Sequence, residues 1–262
     1  MTLLAARDIH FSYSTTPILG GIDLHLNAGE IVALIGPNGS GKSTLIKLLL
    51  GHLTGSGDLR WDGQPIASLP RRDLARRVAY LPQSPTWDIE HRVADVLRLG
   101  RAPYWSAFGI ETTTDARVVL EVAQQLNLTD LLHRRLDELS GGQRQRVFLG
   151  RCLVQQPAAL LLDEPNTFLD VKHQVDLARL LRKLAVDNNV AILIASHDLI
   201  LAAATAHRLI LLHQGKVLAQ GPAPDVLKPD ILSAAYGVPM QRLDHAPGAA
   251  PVVVPVLDQD FT

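Results

Sequence analysis

The chain has 262 residues, with 25 Lys and Arg against 26 Asp and Glu, a net charge of −1. That length suits one or two domains with a sizeable core. With 47% apolar and 19% charged residues, wholesale disorder is excluded, and the missing basic excess argues against a general nucleic-acid binder. The single cysteine, Cys152, permits no internal disulfide and reads as a buried thiol in an apolar stretch. No apolar run approaches the roughly 18 residues of a membrane span. The first residues lack the basic start of a secretion signal. The expected setting is soluble, reducing and cytoplasmic.

Residues 1–30 and 57–61 read as antiparallel strands, with turn residues at Gly20-Gly21 and Asp62-Gly63. Runs at 31–35, 78–81, 158–162, 190–195 and 209–212 are short, apolar and ended by Gly, Pro or polar residues. Such runs fit strands buried on both faces, as in a parallel sheet. Helical patterns lie between them. One covers 42–50 and stops at Gly51; another covers 171–186 with Asp170 as its N-cap. Strands alternating with helices predict an α/β fold. From 86 to 156 the alternation breaks, with helical patterns at 92–99, 115–126 and 142–155 and no strand. The expectation is an α/β core over 1–85 and 157–240, a helical subdomain over 86–156, and a tail over 241–262. Pro247, Pro251 and Pro255 predict that the tail is extended or loosely attached. Arg71, Arg72, Arg76 and Arg77 read as a solvated helix face, with Asp73 and Arg77 paired at i,i+4.

Gly36-Pro37-Asn38-Gly39-Ser40-Gly41-Lys42-Ser43 matches the phosphate-loop pattern in full. A buried strand precedes it and a helix follows, the context the motif requires. The glycines let backbone N–H groups wrap a phosphate, and the helix N-terminus adds positive potential. Lys42 supplies charge to the β- and γ-phosphates; the Ser43 hydroxyl can coordinate Mg²⁺. Ligands of open α/β sheets sit beyond the carboxyl ends of the strands, where Gln83, Asp163-Glu164 and His197 fall. Asp163 suits a Mg²⁺ ligand, and Glu164 a general base for the attacking water. Gln83 can orient that water or touch Mg²⁺. His197 can donate to the γ-phosphate.

Leu139-Ser140-Gly141-Gly142-Gln143 resembles the signature of ATP-binding cassette (ABC) ATPases. With residues 36–43, Gln83, Asp163-Glu164 and His197 in this order, the resemblance runs to about Gly237. It implies a P-loop, RecA-like α/β core, an N-terminal antiparallel β subdomain and an inserted α-helical subdomain. It implies ATP hydrolysis with Mg²⁺. The nucleotide site would comprise Tyr13, Gly36, Pro37, Asn38, Gly39, Ser40, Gly41, Lys42, Ser43 and Thr44, with Tyr13 stacking on adenine or else serving as a core aromatic. Ser43, Gln83 and Asp163 would hold the metal. Glu164, His197 and Gln83 would carry the chemistry. Ser140, Gly141, Gly142 and Gln143 would close on ATP held by the other copy of a homodimer, towards which Asp170 also crosses. Glu164-Pro165-Asn166-Thr167-Phe168-Leu169-Asp170 departs from the family's commoner Glu-Pro-Thr start, and Phe168 is bulkier than usual there.

One cassette without a long coiled coil looks most like a bacterial importer ATPase. Residues 73–83, 93–104 and Ala235-Tyr236-Gly237-Val238-Pro239 resemble importers of iron–siderophores, haem and cobalamin. In that reading two separate integral-membrane permease subunits and a periplasmic binding protein are the partners, and nucleic acid is not. The chain would lie on the cytoplasmic face of the inner membrane. Trp87, Trp105 and Phe108 either anchor a permease helix or belong to the subdomain's own core. The alternative reading is a permease-free regulatory or DNA-associated ABC ATPase.

Overall fold

A computed structural model describes residues 1–85, 90–106, 109–167, 169–243 and 250–256. The chain starts with β1 (Thr2–Tyr13), β2 (Thr16–Asn27), β3 (Ile31–Ile35), α1 (Lys42–Leu49), β4 (Ser56–Trp61) and β5 (Gln64–Pro65). Then come α2 (Arg71–Arg77), β6 (Val78–Leu81), α3 (Val93–Leu99), α4 (Thr113–Gln125), α5 (Gly141–Val154) and β7 (Ala159–Asp163). After α6 (Val171–Asn188) follow β8 (Ala191–Ser196), α7 (Leu199–Thr205), β9 (Arg208–His213) and β10 (Lys216–Gly221). The last elements are α8 (Ala223–Val226), α9 (Pro229–Tyr236), β11 (Met240–Leu243) and β12 (Val252–Pro255). Two compact units result, Met1–Ser68 with Ala178–Thr262, and Leu69–Leu177.

In the first unit, β3 is parallel to both β8 and β9, and β10 returns antiparallel to β9. Every residue of β3 and β8 is buried. That explains their unbroken apolar sequence, because both faces of the sheet are covered. A second, antiparallel sheet has the order β2-β1-β4-β5. Trp61, 2% exposed, fixes it to α1 by donating its indole N–H to the Leu49 carbonyl at 2.9 Å. Asp62-Gly63 forms the expected turn. Gly20-Gly21 does not: both residues lie within β2, and the Gly20 N–H donates to the Gly215 carbonyl at 2.9 Å. A partner far along the chain keeps this glycine pair in the strand.

The described part of the tail is extended, as expected, and it is attached as well: β12 pairs with β11 from Met240↔Pro255 to Leu243↔Val252. Val253 is buried in the cluster formed by Ile35, Ala202, Leu211, Val226 and Leu232. Burial of one valine face attaches the segment.

In the second unit, β6 and β7 are parallel, Val78 facing Ala159 and Leu81 facing Leu162. Helices α3, α4 and α5 lie where helical patterns were read, and the described residues between 90 and 156 contain no strand beyond one isolated bridge. Cys152 is buried; desolvation pushes its thiol up to about 12. The α2 face is solvated in part, with Arg71 and Arg72 exposed, but two of its arginines also hold backbone carbonyls. Arg72 and Arg76 both donate to the Pro103 carbonyl, at 2.8 and 3.0 Å, and Arg72 also bonds the Trp105 carbonyl. Asp73 pairs with Arg76 at 3.8 Å, one turn away. The Pro103 carbonyl, in the tight turn at Ala102–Tyr104, thus accepts from two guanidinium groups. Trp105 is half-buried there; Trp87 and Phe108 lie outside the described residues.

Arg101 and Asp115 form a buried ion pair at 2.7 Å, and Arg101 also donates to the Val154 carbonyl at 2.8 Å. Burial raises the Asp115 pKa, but the Thr112 amide and the Arg101 guanidinium outweigh it and hold the carboxyl below its usual value. The resulting stability is complete above the ordinary Asp range and is lost as pH falls through the lowered folded value. Asp115→Asn strands the buried guanidinium and is expected to cost about 3 kcal/mol. Urea unfolding midpoints of parent and variant check this.

Candidate functional site

The phosphate loop leaves β3 at a sheet edge. The β3–β8 register pairs Ile35 with Ser196, so Gly36 and His197 emerge at the same edge. Asp198 pins the exposed His197 from behind: its N–H donates to Ser196 Oγ at 3.0 Å, and its carboxylate caps α7 by accepting the Leu201 N–H at 2.9 Å. Gly36 has φ 145°, and a Cβ there would collide with the Leu212 carbonyl. Only glycine suits this position.

Lys42 is 7% exposed, and its ammonium donates to the Gly36 and Pro37 carbonyls at 2.7 and 3.0 Å. The charge is thus held across the mouth of the loop. Ser40 is buried, and its hydroxyl finds no partner among the described residues. An orphaned buried hydroxyl suits a loop built to take an anion. Gly215 braces the loop, donating its N–H to the Ser40 carbonyl at 3.2 Å while accepting from Gly20 of β2. Its φ is 73°, and a Cβ would strike the Ile18 carbonyl. Tyr236 lies beneath: burial pushes its phenol up to about 12, with the Gly36 amide pulling the other way. Tyr13 ends β1 and is 47% exposed, edge-on to Phe11 at 4.7 Å. It is a surface ring, available for stacking.

The second unit holds the remaining groups. Leu81 and Leu162 are in register, so Gln83 and Asp163-Glu164 leave their strands together. The Gln83 amide donates to Glu164 Oε2 at 2.8 Å. Asp163 is 3% exposed at the end of β7. Burial and then the Asp163 charge push the Tyr80 phenol up to about 12. Glu164 has φ 52°, a left-handed conformation that costs a non-glycine residue about 1–2 kcal/mol. The Thr167 N–H compensates by donating to the Glu164 carbonyl at 3.2 Å. Asn166 is buried; Phe168 lies outside the described residues.

Ser140 caps α5 reciprocally with Gln143: the Gln143 N–H donates to Ser140 Oγ at 3.2 Å and the Ser140 N–H to Gln143 Oε1 at 3.0 Å. Ser140 and Gly141 are exposed, so the helix start is open to an anion. Asp170 caps α6 as expected, accepting the His173 N–H at 2.8 Å and its ring nitrogen at 2.7 Å. The His173 amide, then its ring, hold the exposed Asp170 carboxyl below its usual range. Leu169 and His173 border Gly142 of the signature. The structure thus joins Gln83 to Glu164 in one unit and the phosphate loop to the His197 edge in the other.

The sequence matches the ABC transporter family over residues 19–167. The chain belongs to this family. Such a cassette binds and hydrolyses ATP, and the fold described above is the ABC ATPase fold. Similar curated proteins include the hemin import ATP-binding protein HmuV of Thermobifida fusca, 38% identical over 255 residues, covering 97% of this chain and 89% of the relative. The iron(3+)-hydroxamate import ATP-binding protein FhuC of Bacillus subtilis is 34% identical over 239 residues, covering 91% and 89%. Among solved structures, an inward-facing metal-chelate type ABC transporter is 27% identical with TM-score 0.86, covering 98% of both chains.

Sequence reasoning did not single out Gly215, His173 or Gln145. Gly215 was findable as a glycine turn between two strand-like runs. His173 and Gln145 gave no signal, since polar residues on helices are ordinary.

Proposed function

We propose that this chain is the ATP-hydrolysing subunit of an importer for a metal chelate. Full-length likeness to hemin and iron(3+)-hydroxamate import ATP-binding proteins carries this reading. The substrates of those relatives favour haem or a ferric siderophore among chelates. Two copies pair head-to-tail, and Ser140, Gly141, Gly142 and Gln143 of one copy face the γ-phosphate held by residues 36–44 of the other. Residues 86–156 act as a helical subdomain against the 1–85 and 157–240 core, followed by the 241–262 tail.

Each residue then has a task. Tyr13 stacks on adenine. Gly36, Pro37, Asn38, Gly39, Ser40 and Gly41 wrap the phosphates, and Lys42, Ser43 and Thr44 complete the cradle. Glu164 takes the proton of the attacking water, Gln83 keeps the carboxylate oriented, and His197 donates to the γ-phosphate. Asp170 crosses to the other copy.

Mg²⁺ takes oxygen donors, and the Ser43 hydroxyl, the Gln83 amide oxygen and the Asp163 carboxylate would each offer one. Among the described residues no three His, Cys, Asp or Glu cluster. When bound, Mg²⁺ offsets charge on the β- and γ-phosphates.

Closure of the dimer drives a pair of membrane permeases between access states, and a periplasmic binding protein delivers the chelate. The chain works on the cytoplasmic face of the inner membrane. No helix among the described residues is long and apolar enough to cross a membrane, which fits a peripheral subunit. The test is copurification: tagged chain, expressed with the permease encoded beside it, is expected to bring that permease out of detergent-solubilised membranes. Recovery of the chain without it contradicts the importer reading.

A further inference from the structure

The signature helix is tied to the loop that carries Glu164. Gln145 is the fifth residue of α5, and its side-chain amide donates to the Pro165 carbonyl at 2.7 Å. Pro165 directly follows Glu164 and is buried. Proline's φ is fixed, so a pull on its carbonyl moves the peptide as a block and turns the residue before it. That residue is the one held at φ 52°. The loop is otherwise short-tethered, by the Thr167 N–H on the Glu164 carbonyl and the Leu169 N–H on the Asn166 carbonyl, both at 3.2 Å. At the far end of the same helical turn, Gly142 lies against Leu169 and His173. A displacement of the α5 start therefore reaches the Glu164 loop at two points, one of them a directional hydrogen bond.

We propose that Gln145 is a positioning residue that passes engagement of the signature to Glu164, so that the base is aligned when Ser140 and the following amides hold an anion. The inference rests on Glu164 as the base of the proposed function. It explains why a left-handed glutamate is worth keeping: a strained residue has an alternative conformation nearby, and a single bond can select between them. A misplacement of about 1 Å at a reacting group can cost on the order of 100-fold in rate.

The test compares full-length chains for ATP affinity, KM, kcat and thermal midpoint. Gln145→Met keeps the length and removes the donor. Its kcat is expected to fall on the order of tenfold or more, with KM and ATP affinity within about twofold and the melting midpoint unchanged. Gln145→Lys restores a donor and is expected to recover part of the rate. Added to Glu164→Gln, the methionine substitution is expected to lower the residual rate no further, because both act on one step. Parental kcat in Gln145→Met overturns the proposal, as does an equal further loss on the Glu164→Gln background. If Gln145→Met does not fold, a Gln145→Lys chain that folds yet shows no rate above the Glu164→Gln level overturns it too. Normal turnover in Glu164→Gln alone would instead remove the base assignment beneath it.

Discussion

Glu164→Gln is expected to bind ATP like the parent and to lose hydrolysis by about 10²–10⁴-fold, the range for removing a general base. The substitution is nearly isosteric. The amide oxygen can still accept the Gln83 N–H that now reaches Glu164 Oε2 at 2.8 Å. The backbone bond from Thr167 to the Glu164 carbonyl is untouched, so the loop keeps its left-handed turn. What disappears is the ability to take a proton from water. Binding is expected to survive because the substitution leaves the phosphate loop and the Lys42 ammonium unchanged. Single-turnover hydrolysis beside equilibrium ATP binding checks both halves. A variant that turns over at the parental rate contradicts the assignment.

Lys42→Ala is expected to act earlier, on binding itself. The ammonium is 7% exposed and bridges the Gly36 and Pro37 carbonyls. In the proposed bound state it would supply charge-assisted hydrogen bonds to phosphate, each worth roughly 1.5–3 kcal/mol. Losing one or more weakens ATP by about 10- to 100-fold. Truncation also leaves two carbonyls at the root of the loop without their donor. Titration calorimetry with ATP reads the loss directly, and parental affinity would contradict the role given to Lys42. The two variants separate cleanly: one binds and stalls, the other scarcely binds.

Much of this was legible in the residues, for physical reasons. β3 and β8 are buried on both faces, so their apolar runs have no competing periodicity. The phosphate loop is legible because its glycines must sit at fixed spacing, as the φ of 145° at Gly36 shows. The signature helix was legible from the helical pattern at 142–155, and the Ser140–Gln143 capping box that starts it came only with the structure. What escaped depends on partners distant in sequence. Gly20-Gly21 looks like a turn until Gly215 pairs with it. Arg72 and Arg76 look solvated until the Pro103 carbonyl lies beside them. The tail looks loose until β11 supplies its register. Gln145 is an unremarkable helix residue whose role exists only through Pro165. Local pattern finds elements and motifs; tertiary contacts decide which polar groups steer them.

Import of a metal chelate powered by ATP hydrolysis in this chain can be read out in one assay. The most direct measurement is the ATPase rate of the chain reconstituted with its permease in proteoliposomes, with the binding protein added empty or loaded. Haem, a ferric siderophore and cobalamin are offered in turn. One loaded chelate is expected to raise hydrolysis above the rate with empty binding protein, and Glu164→Gln to abolish the rise. A rate unchanged by every chelate in an assembled complex would contradict the importer reading.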